Sequence, residues 1–211
     1  FGNVLEIGRQ TRPDLYALHP TRPAPLVPAK WRFEVPERVD CQGAVVTPLN
    51  LAAAEAAIGQ ILAEGIESVA VCFLFSFLHP EHEQQVRARI AEIGEAGAPF
   101  VSLSSDVLPE YREYERTSTT VINAYVAPLM SRYLANLEQQ LGGRRLRIMQ
   151  SNGGAISARA AGRLAARTAL SGPAGGVVGA FEVARLAGLD QAITFDMGGT
   201  STDVSLCPGR V

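Results

Sequence analysis

The chain has little cysteine, no surplus of either charge and no long apolar run, and each shortage removes a class of function. Its three cysteines, Cys41, Cys72 and Cys207, lie far apart and form no CxxC pair. That argues against a zinc site and against a disulfide framework, and it points to a reducing cytoplasm. Nineteen Lys and Arg stand against 21 Asp and Glu, a net charge of −2. The basic surplus of a nucleic-acid scaffold is missing, so no nucleic-acid partner is expected. No apolar run reaches the roughly 18–20 residues a membrane helix needs, so no membrane partner is expected either. The longest run, residues 69–78, has the length of a buried strand, and Cys72 within it reads as a small hydrophobe. His19, His79 and His82 form neither an HExxH nor a Ser-His-Asp pattern. His79 and His82 flank Pro80-Glu81 and are expected as solvated or capping side chains. Short repeats and low-complexity tails are also lacking.

Apolar residues are plentiful, at 47% of the chain, enough for a buried core. The first forty residues carry Arg12-Pro13, Pro20, Arg22-Pro23, Pro25, Pro28 and Pro36 and are expected to run extended over a surface. From there the pattern alternates. Residues 51–64 are Ala-rich, with Ala54, Ile58 and Ile61 on one helical face, and Gly65 as a stop. Residues 68–77 read as a central strand. A helix follows from Pro80, with Val86, Ile90 and Ile93 on one face, and residues 100–103 read as the next strand. This order predicts an α/β fold with a largely parallel sheet. A long helix is predicted over 114–141, with Ile122, Val126, Leu129, Tyr133, Leu137 and Leu141 inward and Pro128 as a kink. Further on come a strand at 146–150, a short helix at 158–166, a helix from Pro173 to near Gly188, and a hairpin.

The terminal hairpin carries the chemistry. Ile193-Thr194-Phe195 delivers Asp196 to Met197-Gly198-Gly199-Thr200-Ser201-Thr202-Asp203, and a second apolar run follows. A carboxylate at a strand end can hold Mg²⁺, directly or through water, or orient a nucleophile. Gly198 and Gly199 let N–H groups approach phosphate, and the hydroxyls of Thr200 and Thr202 add donors. A plain turn with surface Thr and Asp is the competing reading. Upstream, Ser171-Gly172-Pro173-Ala174-Gly175-Gly176 opens a helix whose glycines cost about 1 kcal/mol each relative to Ala. They point either to close helix packing or to backbone approach to a ligand. Ser151, Asn152 and Gly153 form either a tight loop or a ligand contact. Arg9, Gln10 and Arg12 gather two guanidinium groups and an amide, suited to carboxylate, phosphate or a ring carbonyl, or else solvated.

Taken together, these words resemble the hydantoinase A / 5-oxoprolinase family, within the superfamily of actin, sugar kinases and heat-shock chaperones. The resemblance rests on Val4-Leu5-Glu6-Ile7-Gly8-Arg9-Gln10, Phe33-Glu34-Val35-Pro36-Glu37-Arg38, the word from Leu108 to Thr120, Met149-Gln150-Ser151-Asn152-Gly153-Gly154, Ser171-Gly172-Pro173-Ala174-Gly175-Gly176 and Phe195-Asp196-Met197-Gly198-Gly199-Thr200-Ser201-Thr202-Asp203. It implies two partial lobes of an actin-like ATPase fold, each a mixed sheet flanked by helices. Residues 1–106 would end the first lobe. Residues 107–211 would start the second, with a connecting helix and the second phosphate loop. It implies ATP and Mg²⁺ as cofactors and Asp196 and Asp203 as catalytic residues, with Asp196 on the metal. Gly172, Gly175, Gly176, Gly198, Gly199, Thr200 and Thr202 would serve the nucleotide, and Arg9, Gln10, Arg12, Ser151, Asn152 and Gly153 the substrate. The implied activity is phosphorylation of a cyclic imide or amide carbonyl for ring-opening hydrolysis, with a hydantoinase B-type partner. A ketone carboxylase subunit and a non-catalytic nucleotide-binding module are the alternatives. The family's earlier Asp-x-Gly-Gly-Thr loop does not occur in these residues, so the protein is expected to extend upstream. Residues 1–211 alone are not expected to turn over ATP.

Overall fold

The computed structural model describes residues 1–11, 14–19, 21 and 23–209. Arg12, Pro13, Pro20 and Arg22, part of the segment expected to be extended, lie outside them. Contacts divide the chain into two units, Phe1–Pro128 and Leu129–Val211.

The first unit opens with a helical turn, α1 (Val4–Ile7), where extended chain is expected. Arg32 holds that turn by donating to the Gly2 carbonyl at 3.0 Å and to Glu6 at 2.9 Å. A short antiparallel pair follows, β1 (Arg38–Val39) and β2 (Val45–Thr47). Helix α2 (Leu51–Ala63) starts where Asn50 Oδ1 accepts the Ala53 N–H at 3.0 Å. Ala54, Ile58 and Ile61 are its buried residues, as its spacing predicts. Gly65, at φ +63°, takes the left-handed geometry that ends it. Strand β3 (Ser68–Val71), helix α3 (Glu81–Gly94) and strand β4 (Phe100–Leu103) make a parallel crossover, with Ser68 opposite Phe100 and Val71 opposite Leu103. Leu49, Ala54, Ile58, Val71, Val86, Ile90 and Leu103 close the core, each large aliphatic contributing about 1.5–3 kcal/mol.

Three expectations fail here, for related reasons. The expected largely parallel sheet is absent: among the described residues the strands form four two-stranded pairs, of which β3–β4 is parallel. Strand β3 ends at Val71, not at Phe77. The backbone beyond it is claimed by buried side chains. Glu83 accepts the Phe73 N–H at 3.0 Å, and Arg116 donates to the carbonyls of Phe73 at 2.7 Å and Leu74 at 2.6 Å. The inner face of α3 also differs: His82, Glu83, Val86 and Ile90 are buried, whereas Ile93 is exposed. His82 is no solvated side chain. Its Nδ1 lies 2.8 Å from Glu37 Oε2, and both side chains are buried.

After a short turn, α4 (Ser104–Val107), the long helix α5 (Glu113–Gln140) contains Pro128 and the boundary between the units. Its inward face inverts the expected one. Arg116, Thr117, Thr120, Asn123, Ala124, Ala127 and Leu134 are buried, while Ile122, Leu129 and Tyr133 are exposed. Most of these polar groups lie inside because they are paired, although Thr117 Oγ1 and Arg116 Nε find no hydrogen-bond partner among the described residues. Asn123 donates to Ser102 Oγ at 2.9 Å, and Thr120 Oγ1 to the Arg116 carbonyl at 2.7 Å. Glu83 takes three more donors from Ser104 and Ser105 at 2.6–2.9 Å.

In the second unit, β5 (Arg147–Met149) and β6 (Ala155–Ser157) form an antiparallel hairpin, of which only β5 is expected. Helix α6 (Ala158–Arg163) follows, shorter than predicted. Leu134, Ala158 and Ala161 center a small core with Met130, Leu146, Ile148 and Ile156. At Gly162 a Cβ would lie 3.1 Å from the Ser131 Cα, so α6 meets α5 nearly backbone to backbone. Helix α7 (Ser171–Leu186) and strands β7 (Gln191–Met197) and β8 (Thr202–Pro208) complete the unit. Pro173 is the third residue of α7, not the first, which costs nothing because first-turn N–H groups have no helical partner.

The cysteines give a direct test. Cys41 is exposed and Cys207 buried. Cys72 is partly exposed as a residue, but burial of its thiol, with Glu83 close by, pushes its pKa up to about 12. At pH 8 iodoacetamide is expected to modify Cys41 alone in the native protein, and all three cysteines in denaturant; mass spectrometry of peptides reads this. The raised pKa favours the neutral thiol in the fold. Its stabilising contribution is present below the ordinary 9.0 and is lost as pH rises toward 12.

Candidate functional site

The β7–β8 hairpin sorts its side chains onto two faces by strand alternation. On one face Ala192 opposes Cys207, Thr194 opposes Ser205, and Asp196 opposes Asp203. On the other Ile193 opposes Leu206, Phe195 opposes Val204, and Met197 opposes Thr202. The first face is the covered one toward its base: Cys207 is buried and Ala192, Thr194 and Ser205 are half-buried. The second leaves Ile193, Phe195, Met197, Val204 and Leu206 exposed.

The two aspartates lie at the exposed tip of the polar face. Directly opposed side chains of an antiparallel pair have Cβ atoms about 4.5–5.5 Å apart, and like charges there repel. Neither carboxylate has a hydrogen-bond or ion-pair partner among the described residues. Such a pair suits a cation. The donor set is partial, however: among the described residues no group of three His, Cys, Asp or Glu could hold a metal ion. Two carboxylate oxygens would fit Mg²⁺ with phosphate oxygens and water supplying the rest of its shell.

The turn beside them is built by Gly198, whose N–H donates to the Ser201 carbonyl at 2.9 Å. That N–H is therefore already used. A Cβ on Gly199 would meet nothing within 4 Å, and Thr200, Ser201 and Thr202 are exposed, which leaves an open, hydroxyl-lined tip. Neither glycine adopts positive φ.

The glycines of α7 bring the separate sequence words together. A Cβ on Gly176 would lie 3.6 Å from Asp196 Oδ2, and one on Gly175 3.6 Å from Met149 Cγ. Gly153, at φ +81°, sits where a Cβ would be 3.1 Å from Val178 Cγ2. The β5–β6 turn, the first half of α7 and Asp196 thus form one continuous surface within this unit. Gly172 meets nothing within 4 Å. The polar atoms of Ser151 and Asn152 serve the turn itself. Ser151 Oγ donates to the carbonyls of Arg167 and Ala169, and Asn152 Oδ1 accepts the Gly154 N–H at 3.0 Å. Sequence reasoning passes over Gln150, a buried residue at the foot of this turn. Its signals are its place between a strand and a Ser-Asn-Gly-Gly loop and its inclusion in the word from Met149 to Gly154.

Arg9 and Gln10 belong to the first unit. Arg9 Nε donates to Glu115 at 2.9 Å, and its guanidinium lies 6.0 Å from the center of the Tyr114 ring. This pairing holds the carboxyl of Glu115 below the usual carboxylate range. Gln10 adopts φ 58°, an uncommon geometry for a residue with a side chain. Arg12 lies outside the described residues.

Comparison with known proteins gives this arrangement its context. Residues 1–94 match the hydantoinase/oxoprolinase N-terminal region, and residues 116–211 match the hydantoinase/oxoprolinase domain. An uncharacterized protein of Methanocaldococcus jannaschii is 39% identical over 97% of this chain and 30% of its own length. The caprolactamase alpha subunit of Pseudomonas jessenii is 38% identical over 87% of this chain and 27% of its own. The nucleotide-free structure of acetone carboxylase, from work on ATP-dependent acetone carboxylation, superposes with a TM-score of 0.82 at 31% identity, covering 99% of this chain and 31% of that one. The chain therefore spans about a third or less of the proteins it matches. The expected fold class holds: α/β, with parts of two lobes of an actin-like ATPase fold. Two matched regions in the family's order, with that fold beneath them, identify the chain as a member of the hydantoinase/oxoprolinase family.

Proposed function

We propose that the protein containing this chain uses ATP to phosphorylate the carbonyl oxygen of a cyclic amide or imide, which is then opened by hydrolysis. The observation that carries this reading is the opposed pair Asp196 and Asp203, unpaired, beside an open hydroxyl-bearing turn and against the side-chain-free Gly176. When bound, Mg²⁺ would neutralise phosphate charge in the transfer. Asp196 and Asp203 would hold it, and Gly199, Thr200 and Thr202 would position phosphate oxygens. Gly175 and Gly176 keep side chains away from that space. Phosphorylation makes the carbonyl carbon more electrophilic: one water adds to it, the ring C–N bond breaks with the nitrogen leaving protonated, and a second water hydrolyses the resulting acyl phosphate to carboxylate and free phosphate. Residues 1–106 are assigned to the end of one lobe and 107–211 to the start of the next. The relative named caprolactamase subunit alpha supports a cyclic amide substrate and a multi-subunit complex, in which the partner assigned here is of hydantoinase B type. The cysteine usage favours a cytoplasmic setting, and no described helix is long and apolar enough to cross a membrane.

The likeness to acetone carboxylase favours a second reading, ATP-dependent ketone carboxylation. A phosphate-release screen of the whole protein with its partner separates the two. Cyclic amides (5-oxoproline, hydantoin, caprolactam) are expected to stimulate ATP consumption without bicarbonate. Stimulation by acetone or acetophenone that requires bicarbonate would establish the carboxylase instead.

A further inference from the structure

Gln150 follows β5 and opens the turn onto Gly153 and Gly154. It is 9% exposed. Its backbone is fully used: its N–H donates to the Gly154 carbonyl at 2.7 Å, and its carbonyl accepts the Gly153 N–H at 3.1 Å. Its side chain has no hydrogen-bond partner among the described residues. Neither carboxamide atom is among the enclosed, unpartnered ones, so the small surface that the residue keeps belongs to its head. A buried stem thus holds an unspent donor and acceptor at a fixed place on the surface, free for a ligand. The turn also protects it. A Cβ on Gly154 would lie 3.3 Å from Gln150 Nε2 and 3.1 Å from Asn152 Oδ1, so glycine here leaves the head uncrowded. The same hairpin packs on α7 through Met149 with Gly175 and Gly153 with Val178, and Gly176 one residue along faces Asp196.

A carboxamide carries a donor and an acceptor side by side on one edge. A small ring locks its own amide cis, which places the ring N–H and C=O on one edge as well. The two edges pair through two hydrogen bonds. A trans amide of an open chain presents those groups on opposite sides, and a ketone has no N–H. We infer that Gln150 binds the cis-amide edge of the substrate ring and sets the preference for lactams and cyclic imides over open-chain amides and ketones. This rests on the cyclic amide reading above. The buried stem fixes the amide in advance, so little rotamer freedom is lost on binding.

The test uses the whole protein with its partner subunit and the cyclic amide that it consumes best. Gln150→Leu is expected to raise the KM for that amide about tenfold or more, with the KM for ATP changed less than about twofold and Tm retained. Gln150→Glu, which keeps the shape and one acceptor but loses the donor, falls between. The N-methylated amide, lacking the ring N–H, should be used equally poorly by wild type and Gln150→Leu. An unchanged amide KM in both variants, beside an active wild type, overturns the inference. So does a parallel rise in the KM for ATP, which marks a structural role. If Gln150→Leu does not fold, Gln150→Glu decides alone. A wild type that consumes no cyclic amide overturns the functional reading itself, and this assignment with it.

Discussion

Replacing Arg116 with methionine is expected to destabilise the protein by about 3–5 kcal/mol, the usual cost of breaking a buried charged network from one side. The guanidinium is fully buried. It bonds the carbonyls of Phe73, Leu74 and Glu110, stacks 5.3 Å from the center of the Phe77 ring, and shares its surroundings with the buried Glu83. Methionine fills the space but leaves the Leu74 and Glu110 carbonyls without a donor, takes one donor from the Phe73 carbonyl, which keeps Ser76, and leaves one carboxylate without a nearby cation. Urea unfolding of wild type, Arg116→Met and the exposed control Arg112→Met reads the difference. The control should stay within about 0.5 kcal/mol of wild type. If Arg116→Met also stays within that margin, the network is not what fixes residues 73–77.

The second large effect concerns turnover. On the proposed function, Asp196→Ala should lower ATP consumption by the whole protein about 10²–10³-fold, the typical cost of removing one positioned electrostatic group from phosphoryl or acyl transfer. Asp203→Asn should cost less, because it keeps an oxygen toward the shared cation. The two differ in stability as well. Without ligands, either change removes the repulsion across the hairpin and should be neutral or slightly stabilising, by about 0.2–1 kcal/mol. Loss of turnover with retained or improved Tm separates a functional role from a structural one. Full turnover in Asp196→Ala would remove the hairpin from the chemistry.

How much of this was legible in the sequence varied by element. Helix α2 could be read because its buried residues are the apolar ones at helical spacing, with Asn50 before them and Gly65 after. The hairpin could be read because two apolar runs flank a Gly-Gly turn. The inner face of α5 could not. Its buried positions include Arg116, Thr120 and Asn123, and hydropathy assigns such residues to solvent. Asn123 and Arg116 are inside because partners 21 and 43 residues distant, Ser102 and Phe73, satisfy them, and no local window sees those partners. The end of β3 was hidden for the same reason. At the candidate site the Asp and Gly words were legible as chemistry, but their convergence was not: Gly176 against Asp196 and Gly175 against Met149 are contacts across the fold. Gln150 was legible only as part of the word from Met149 to Gly154 that carries the resemblance, because an amide in a strand-to-turn segment has no periodicity of its own.

The two-faced hairpin has a consequence for how such chains can vary. Asp196 and Asp203 share a face because β8 pairs with β7 in one register. A slip of one residue would bring Val204 or Thr202 opposite Asp196 and move a row of apolar side chains to the α7 side. Whatever residues fill the turn, their number stays fixed, since the number sets the parity that keeps both carboxylates together. Length is therefore constrained between Met197 and Thr202 alongside the chemistry of the turn.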